Sequence, residues 1–120
     1  MSLWIPNELT GEIKFPRGDT PEIKLRMTIP AAAQNVTVTF TMRKEANANS
    51  PVVLTKQFTE TAAGSGIYTM RFGEADTKQL EYGRYAYDIE YRDITTPGDP
   101  NVETLVVSYV TLTSEVTIHE

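Results

Sequence analysis

The residues that could carry out catalysis are few in this sequence. The chain has 120 residues, no cysteine and a single histidine, His119, next to the C-terminus. A thiol nucleophile, a Cys-based zinc site and a multi-histidine metal site are therefore excluded, and a Ser-His-Asp triad would depend on a terminal residue of the kind that frays. The sequence contains no G-x-S-x-G nucleophile elbow and no glycine-rich phosphate loop followed by Lys-Ser or Lys-Thr. We expect no enzymatic activity and no cofactor.

Carboxylates are the one plentiful group that could do acid–base or metal chemistry. Asp88 and Glu90 are close in sequence, but they alternate with Arg84 and Arg92 on one predicted strand face, a pattern typical of solvated charge pairing rather than of a glycosidase cleft. The remaining candidates are Glu74, Asp76 and Asp99. Because their spacing does not match the D-x-D-x-D-G pattern of a calcium loop, the sequence predicts no metal site.

Two short motifs have functional meanings in other proteins and simpler structural interpretations here. Arg17-Gly18-Asp19 matches the integrin-binding tripeptide, but it lies between Pro16 and Pro21 just before a strand, where the glycine predicts a turn with positive φ. Asn35-Val36-Thr37 matches a glycosylation sequon, which matters only in a secreted protein. We interpret both motifs as turn residues that precede strands.

Tyrosines could form a sugar-stacking platform. Tyr85, Tyr87 and Tyr91 share one predicted strand face with an isoleucine, which favours a buried core face over an exposed platform. The alternation does not place Tyr82 or Tyr109 in the core. A carbohydrate-binding surface would have to be built from residues of this second kind.

These side chains must be positioned by β-strands, because apolar and polar residues alternate with period two along most of the chain. The threonines of the second strand below face outward in this pattern. The predicted strands are Glu22–Ile29, Val36–Met42, Val52–Phe58, Ile67–Phe72, Arg84–Arg92 and a long β-rich run from Val102 to Ile118.

The connections between these strands are short. The turn cluster Ala62–Gly66 predicts a hairpin between the third and fourth strands, and Val52, Leu54 and Phe58 are predicted to face inward. Alternation slips near Val106-Val107, which indicates a bulge or a break into two strands. Helix is nearly absent, since only residues 74–80 could form a turn or two.

Size and charge narrow the class of protein further. Residues 12–120 are enough for a single β-sandwich domain, and residues 1–11 are predicted to be an N-terminal leader or arm. With a net charge of -5 the domain lacks the basic footprint of a nucleic-acid binder, and no apolar stretch approaches the roughly 20 residues needed to cross a bilayer. No secretion signal is visible, so we expect a cytoplasmic location unless a signal has been removed.

One motif sharpens the fold class to an immunoglobulin-like β-sandwich of about seven to eight strands. Leu80, Gly83 and Tyr85 form an L-x-x-G-x-Y run at the start of a strand, which resembles the tyrosine corner of such sandwiches. In a tyrosine corner the phenol hydrogen-bonds the backbone a few residues upstream. The simpler interpretation is a core tyrosine after a turn glycine. The Cys…Trp…Cys core of antibody domains is absent, so the fibronectin-like or phage type is expected.

Several stretches together resemble a small β-sandwich domain of phage and prophage tail proteins, of the baseplate upper protein N-terminal type. Residues 15–20 match its F-x-x-G-D opening, and residues 38–44 match the V-x-F-x-M strand that follows. A later stretch is matched by Asp76, Thr77, Leu80, Gly83, Tyr85, Tyr87, Asp88 and Ile89, and the closing strand by residues 115–117. The resemblance extends over about residues 12 to 118.

The resemblance implies a non-enzymatic structural part of a phage or prophage tail or baseplate. Its partners would be other tail or virion proteins, without nucleic acid or membrane, and it would be found in the virion or in the host bacterial cytoplasm during assembly. The alternative is a cell-surface adhesin or carbohydrate-binding module of the same fold. A sugar module should display coplanar aromatic rings on one open face, whereas a tail domain should bury nearly all of its aromatic residues.

Association with other chains is predicted from apolar residues that a monomer has little reason to keep. Trp4 and Ile5 precede the first strand, and Leu105, Val107 and Tyr109 make the run from Val102 to Val110 apolar on both faces. A strand that is apolar on both faces requires a cover on both, and an open strand edge invites pairing with another chain. We expect a homo-oligomer formed through a sheet edge, with Trp4 folding back on its own domain as the alternative.

Overall fold

Alternating apolar residues form the strands because successive side chains of a strand point to opposite faces of the sheet. In a computed structural model of the protein, which describes residues 3–4, 12–27, 36–47, 49–61, 65–96 and 98–114, the fold is almost entirely β with one short helix. The strands are β1 Leu3–Trp4, β2 Ile13–Pro16, β3 Glu22–Met27, β4 Val36–Arg43, β5 Val52–Gln57, β6 Thr59–Glu60, β7 Ile67–Arg71, β8 Gly83–Asp93 and β9 Asn101–Thr113, and the helix is α1 Glu74–Lys78.

The strands form two sheets. One has four strands in the order β1-β3-β7-β6, and the other has five strands in the order β2-β9-β8-β4-β5. All neighbours are antiparallel except β2 and β9, which run parallel. The predicted count of seven to eight strands was too low for the described residues, because the short strands β1, β2 and β6 carry too few residues for alternation to show.

Both sheets contribute to one hydrophobic core. Phe40 of β4 contacts Phe72, just after β7, edge to face with 5.6 Å between ring centroids, and it stacks on Tyr87 of β8 at 5.1 Å. Phe15 of β2 packs on Phe72 from the other side at 4.8 Å. The other buried apolar side chains are Leu25, Met27, Val38, Met42, Phe58, Met70, Tyr85, Ala86, Ile89, Tyr91, Val110 and Leu112. The core face predicted for Tyr85, Tyr87 and Tyr91 of β8 is confirmed, as is the inward face of β4 opposite its threonines.

The predicted hairpin between β5 and β7 was wrong. After β5 the chain leaves the five-stranded sheet at Phe58, whose amide donates to Val38 O at 2.8 Å while its ring enters the core. The next two residues, β6, pair with β7 in the other sheet. The short hairpin is therefore formed by β6 and β7, and the predicted strand Val52–Phe58 lies before it, with β5 in the other sheet.

The inward placement of Val52 was also wrong. The register between β4 and β5 shifts between Met42 and Arg43, so that Leu54 pairs with Met42 whereas Val52 pairs with Arg43. The extra residue is Val53, which turns Val52 to the outer face, where its side chain is 47% exposed. The prediction held for Leu54, which packs on the core, and for Phe58, because both lie beyond this irregularity.

The slip predicted near Val106-Val107 is a bulge within one continuous strand. Ile89 of β8 pairs with Val106 while the next residue, Glu90, pairs with Thr104, so Leu105 is the extra residue of β9. Because of the bulge, the β9 residues that precede Leu105 lie on the opposite face from the one that uninterrupted alternation would give them. Val102 shares the outer face with Val107, and not the inner face with Val106 and Val110 as the uninterrupted alternation predicted.

Candidate interaction surface

The outer face of the five-stranded sheet is the surface with the most unusual composition. Threonines cover its flanking strands: β4 presents Thr37, Thr39 and Thr41, and the far half of β9 presents Thr111 and Thr113. Threonine suits a strand face that is partly wet, because it is β-branched and carries a hydroxyl. The β4 threonines are half-buried between neighbouring side chains. The outward placement of these residues agrees with the sequence prediction.

Charges on this face are sorted along the strand direction. Between β4 and β8, Arg43 pairs with Ala86, Thr41 with Asp88 and Thr39 with Glu90. The outer residue that precedes Ala86 on β8 is Arg84, at one end of the face. The central part of the face therefore has a cationic half, with Arg43 and Arg84, and an anionic half, with Asp88 and Glu90. Beyond the anionic half lies Arg92, whose guanidinium is 3.9 Å from the Glu90 carboxylate.

A small notch lies at the boundary between the two halves. It has a volume of about 240 Å³. Its lining consists of sheet residues and of the loop after β4, and these residues are Thr41, Arg43, Glu45, Ala46, Asn47, Ala86, Tyr87, Asp88 and Val107. Val107 is paired with Asp88 across the sheet and is 71% exposed. The exposed Val107 side chain therefore protrudes next to a small hole in the same face.

The loop after β4 is held by its own hydrogen bonds. Arg43 donates from Nη1 to Ser50 O at 3.0 Å, and the buried Ser50 accepts at Oγ from the Glu45 amide at 2.9 Å. The Lys44 amide donates to Pro51 O at 3.3 Å. These bonds fix the position of the Arg43 guanidinium at the edge of the notch, so the cationic half has a defined geometry.

Arginine side chains cover two tyrosine rings at the surface. Arg84 lies over the ring of Tyr109, its cross-strand diagonal neighbour, with 3.6 Å between the guanidinium carbon and the ring centroid. Arg17 lies over the ring of Tyr82 at 4.4 Å. A stacked guanidinium occupies the ring face that a sugar would use, and such contacts are favourable in themselves. The alternation was right to leave both tyrosines out of the core, since Tyr82 is 51% exposed and Tyr109 is half-buried.

The residues predicted to form a tyrosine corner lie where the chain passes from one sheet to the other. Tyr85 Oη donates to Glu81 O at 2.8 Å, and the ring is buried in the core. Burial, and then the nearby Glu81 carboxylate, raise the pKa of Tyr85. Leu80 packs on the core, and its amide donates to Thr77 O. Gly83 has φ +134 with open space where a Cβ would be. The positive φ, and not close contact with a neighbouring atom, is therefore what favours glycine at this position.

The Arg17-Gly18-Asp19 tripeptide forms a turn after β2. Gly18 has φ +90, as predicted, and its amide donates to Oγ1 of the fully buried Thr77 at 2.9 Å. Arg17 donates from Nη1 to Leu80 O at 3.3 Å. These bonds tie the tripeptide to the segment around α1, and a cleft of about 540 Å³ lies beside it.

The remaining residues predicted for association are spread over the molecule. β1 pairs with β3, with Trp4 opposite Arg26, so the backbone of the predicted arm joins the four-stranded sheet. Ile5, His119 and the sequon residue Asn35 lie outside the described residues. Leu105 packs against the core because it is the bulge residue, whereas Val107 and Tyr109 lie on the outer face. The structure therefore brings only Val107 and Tyr109 together on one surface.

The carboxylates of Asp76 in α1 and Asp93 at the end of β8 bind neighbouring backbone and side-chain groups. Asp76 accepts from the Gly73 amide at 2.6 Å at the start of α1 and forms an ion pair with Lys56 of β5. Asp93 accepts from the Thr95 amide at 2.9 Å, and hydrogen bonding first to the side chain and then to the amide of Thr95 lowers the pKa of Asp93. Within the described ranges, no three acidic or histidine side chains are close enough to hold a metal ion, and no helix there is long and apolar enough to span a membrane.

Neither a scan of the sequence against protein-family models nor a search of the curated proteins found a match. A function therefore has to be argued from the surface itself. On the described residues, the outer face of the five-stranded sheet combines an exposed valine, a small notch and sorted charges. Sequence reasoning found the valine and the outward threonines but missed the sorting of charges, because the pairing of Arg43 with Ala86 depends on strand register.

Proposed function

We propose that this chain is an immunoglobulin-like β-sandwich with a tyrosine corner at Tyr85. The sheet orders β1-β3-β7-β6 and β2-β9-β8-β4-β5 support this, since they correspond to the four-stranded and three-stranded sheets of that fold with one strand added at each edge of the second. The hydrogen bond from Tyr85 to Glu81, at the start of the strand that follows the crossing between sheets, also supports it.

We infer further that the protein is a non-enzymatic structural component of a phage or prophage tail or baseplate. It would work through protein–protein contacts, with other tail or virion proteins and further copies of itself as partners, in the virion or in the bacterial cytoplasm during assembly. The context comes from the resemblance described above. The mode of action comes from the outer face of the five-stranded sheet, a broad face on which Val52, Val102 and Val107 are exposed, with Val107 nearest its centre.

The lack of open aromatic ring faces among the described residues is the observation that favours this proposal over a carbohydrate-binding module. A sugar platform needs open ring faces, but Tyr82 and Tyr109 each carry an arginine, and their rings belong to different parts of the surface. Most other described aromatic rings are buried in the core. Val107, by contrast, is exposed on a face that offers shape and charge to another protein.

The test of this function is the fate of the protein during particle production. Prophage induction with a DNA-damaging agent, followed by sedimentation of the released particles, should recover the chain in the particle fraction at a fixed ratio to the other particle proteins. An uninduced culture processed in the same way is the control. Recovery of the chain only in the particle-free fraction, or on the surface of uninduced cells in a form released by free sugar, would overturn the proposal.

A further inference from the structure

We propose that two copies of this chain dock face to face through the outer face of the five-stranded sheet, related by a two-fold axis that lies in the interface and passes over Tyr87 and Ser108. The occupant of this face is thus a second copy of the same chain. The inference rests on the proposed function and deepens it, because it names the surface through which the structural component would assemble. Its arguments come from strand register, charge and the exposed apolar centre of the face.

The first argument is charge complementarity of the face with itself. Side chains on the face form rows across the strands, and the Arg84 and Ala86 rows carry arginines, with Arg43 beside Ala86. The Asp88 and Glu90 rows carry carboxylates. Arg92, 3.9 Å from Glu90, lies in the next row, outside the four rows that the axis relates to one another. The cationic half is completed by Lys14 of β2, which lies in the Arg84 row because both residues pair with Thr111. The loop residue Glu45, beyond Arg43, lines the notch.

A two-fold axis at the boundary between the halves brings opposite charges together twice. Two β8 strands crossing antiparallel over Tyr87 place Arg84 of one copy opposite Glu90 of the other, and the reverse pair forms by symmetry. The same operation sets Asp88 opposite Ala86, next to Arg43 of the second copy. An isologous interface requires such self-complementarity, because each residue and its counterpart exchange roles across the axis. A single-sign face would repel its own copy.

The second argument is the apolar centre. Val107 and Tyr109 occupy consecutive outer positions of β9 on either side of the axis, so the operation lays Val107 of one copy on the Tyr109 row of the other, beside the notch lined by Ala86. The most exposed apolar side chain that the structure describes would thereby be covered. A protrusion adjacent to a hole fits its own copy, which is the arrangement expected at the centre of a contact.

The size of the face sets the strength of the contact. Four strands about 4.8 Å apart with the four outer rows that the axis relates give about 500 Å² per copy, or about 1,000 Å² in total. This is below the standard size of stable protein–protein interfaces and typical of weak ones, so a weak dimer with a dissociation constant in the micromolar range is expected. Sedimentation therefore has to be measured up to several hundred micromolar chain.

Charge exchange tests the symmetry of the contact. In sedimentation equilibrium, Arg84→Glu and Glu90→Arg should each weaken the dimer by about tenfold, because each places like charges together at two symmetric positions. The double variant Arg84→Glu/Glu90→Arg should recover most of the lost affinity, since opposite charges then face each other again. Lys24→Glu, on the outer face of the other sheet, is the matched control and should leave the dimer unchanged. Circular dichroism verifies that each variant is folded.

Cross-linking tests the place of the contact. The chain contains no cysteine, so Val107→Cys introduces a single reactive thiol near the axis. A short bismaleimide should convert this variant to covalent dimer, whereas Lys24→Cys should stay monomeric under the same conditions. If Val107→Cys prevents docking, Thr104→Cys, on the same face of β9 but further from the axis, should still be cross-linked by a longer bismaleimide.

Three results would overturn the inference: a strict monomer at the highest concentration, a dimer in which the charge exchange gives no recovery, or cross-linking at Lys24→Cys equal to that at Val107→Cys. These outcomes are separate from those that test the proposed function. A monomer that is recovered in purified particles would remove the inference and leave the function standing. A dimer of the stated symmetry that never enters a particle would remove the proposed function and leave the inference standing.

Discussion

The outer faces of the two sheets are made from the same alternation but carry different side chains. On the four-stranded sheet, Glu22 pairs with Arg71, Lys24 with Thr69 and Arg26 with Ile67, and the long charged side chains of β3 are exposed. On the five-stranded sheet, the corresponding positions include threonines, an alanine and exposed valines. The charges of its strand β8 run from Arg84 through Asp88 and Glu90 to Arg92.

The difference shows what each face is built to do. Long, mixed-sign charges with an ion pair such as Lys24 to Glu22, 3.8 Å apart, keep a sheet face hydrated and resist close approach by another surface. Short β-branched side chains leave a flat face that loses little conformational entropy on contact. Under the proposed docking, the four-stranded sheet would present a solvated face and the five-stranded sheet a contact face.

The two sheets also differ in what stabilises them, and Gly66→Ala addresses the four-stranded sheet. Gly66 has φ +73, and its carbonyl accepts a hydrogen bond from the Met27 amide. A Cβ added to Gly66 would lie 2.8 Å from Met27 O. Strain and this clash should lower the free energy of unfolding by about 2–3 kcal/mol in urea titration. Gly98→Ala, with φ +77 but open space, is the control and should cost about 1 kcal/mol. Equal losses in the two variants would remove the role of the Met27 contact.

The buried tyrosines should make the five-stranded sheet sensitive to high pH. Burial raises the pKa of Tyr87 to about 12 from its ordinary value of 10.0. The side chain stays protonated in the fold while the unfolded chain ionises, so stability is intact below pH 10 and falls as the pH rises towards 12. At about pH 11 the loss from this residue should be about 1.4 kcal/mol.

Urea unfolding at about pH 8 and pH 11 measures this loss, and Tyr87→Phe provides the comparison. The variant should lose less stability over the same interval, because it has no phenol to ionise. The smaller, same-direction contributions of Tyr68, Tyr85 and Tyr91, whose pKa values are also raised by burial, remain in both proteins. An identical pH dependence of the wild type and the variant would contradict the assignment to Tyr87.

Tyr85→Phe tests how the chain is fixed as it enters the five-stranded sheet. The variant keeps the ring in the core but leaves Glu81 O without its phenol donor. Thermal and urea unfolding should show a loss of about 1 kcal/mol or somewhat more, the scale of one hydrogen bond left half made. A melting curve unchanged within error would mean that the bond has no structural importance and would remove the tyrosine-corner assignment.

Substitutions on the two outer faces should have the smallest effect on the stability of the monomer. Lys24→Gln and Thr104→Ser should each change the free energy of unfolding by less than about 0.5 kcal/mol at low protein concentration, because both side chains are exposed. Urea titration of the two variants side by side checks this. A loss above 1 kcal/mol in only one of them would show that its face has a structural role in the monomer.

The long strands could be predicted from the sequence because alternation over six or more residues leaves one consistent assignment of faces. β4 and β8 are examples, and their buried residues Phe40, Tyr87 and Ile89 were placed in the core from spacing alone. The same reasoning failed where one residue breaks the period. The irregularity at Val53 and the bulge at Leu105 each move the residues before them to the opposite face.

The candidate surface could be predicted only in part, for the same physical reason. The outward threonines of β4 and the charges of β8 follow from alternation within one strand. The pairing of Arg43 with Ala86, the stacking of Arg84 on Tyr109 and the notch beside Val107 depend on how separate strands align. Register between strands far apart in sequence is set by the whole core, so no local pattern in the sequence carries it.

Amide NMR shifts at low and high protein concentration distinguish a contact face on the five-stranded sheet from a solvated face on the four-stranded sheet. We expect concentration-dependent shifts at Thr39, Thr41, Asp88 and Val107 and constant shifts along β3. Constant shifts throughout, or shifts confined to the outer face of the four-stranded sheet, would contradict this expectation.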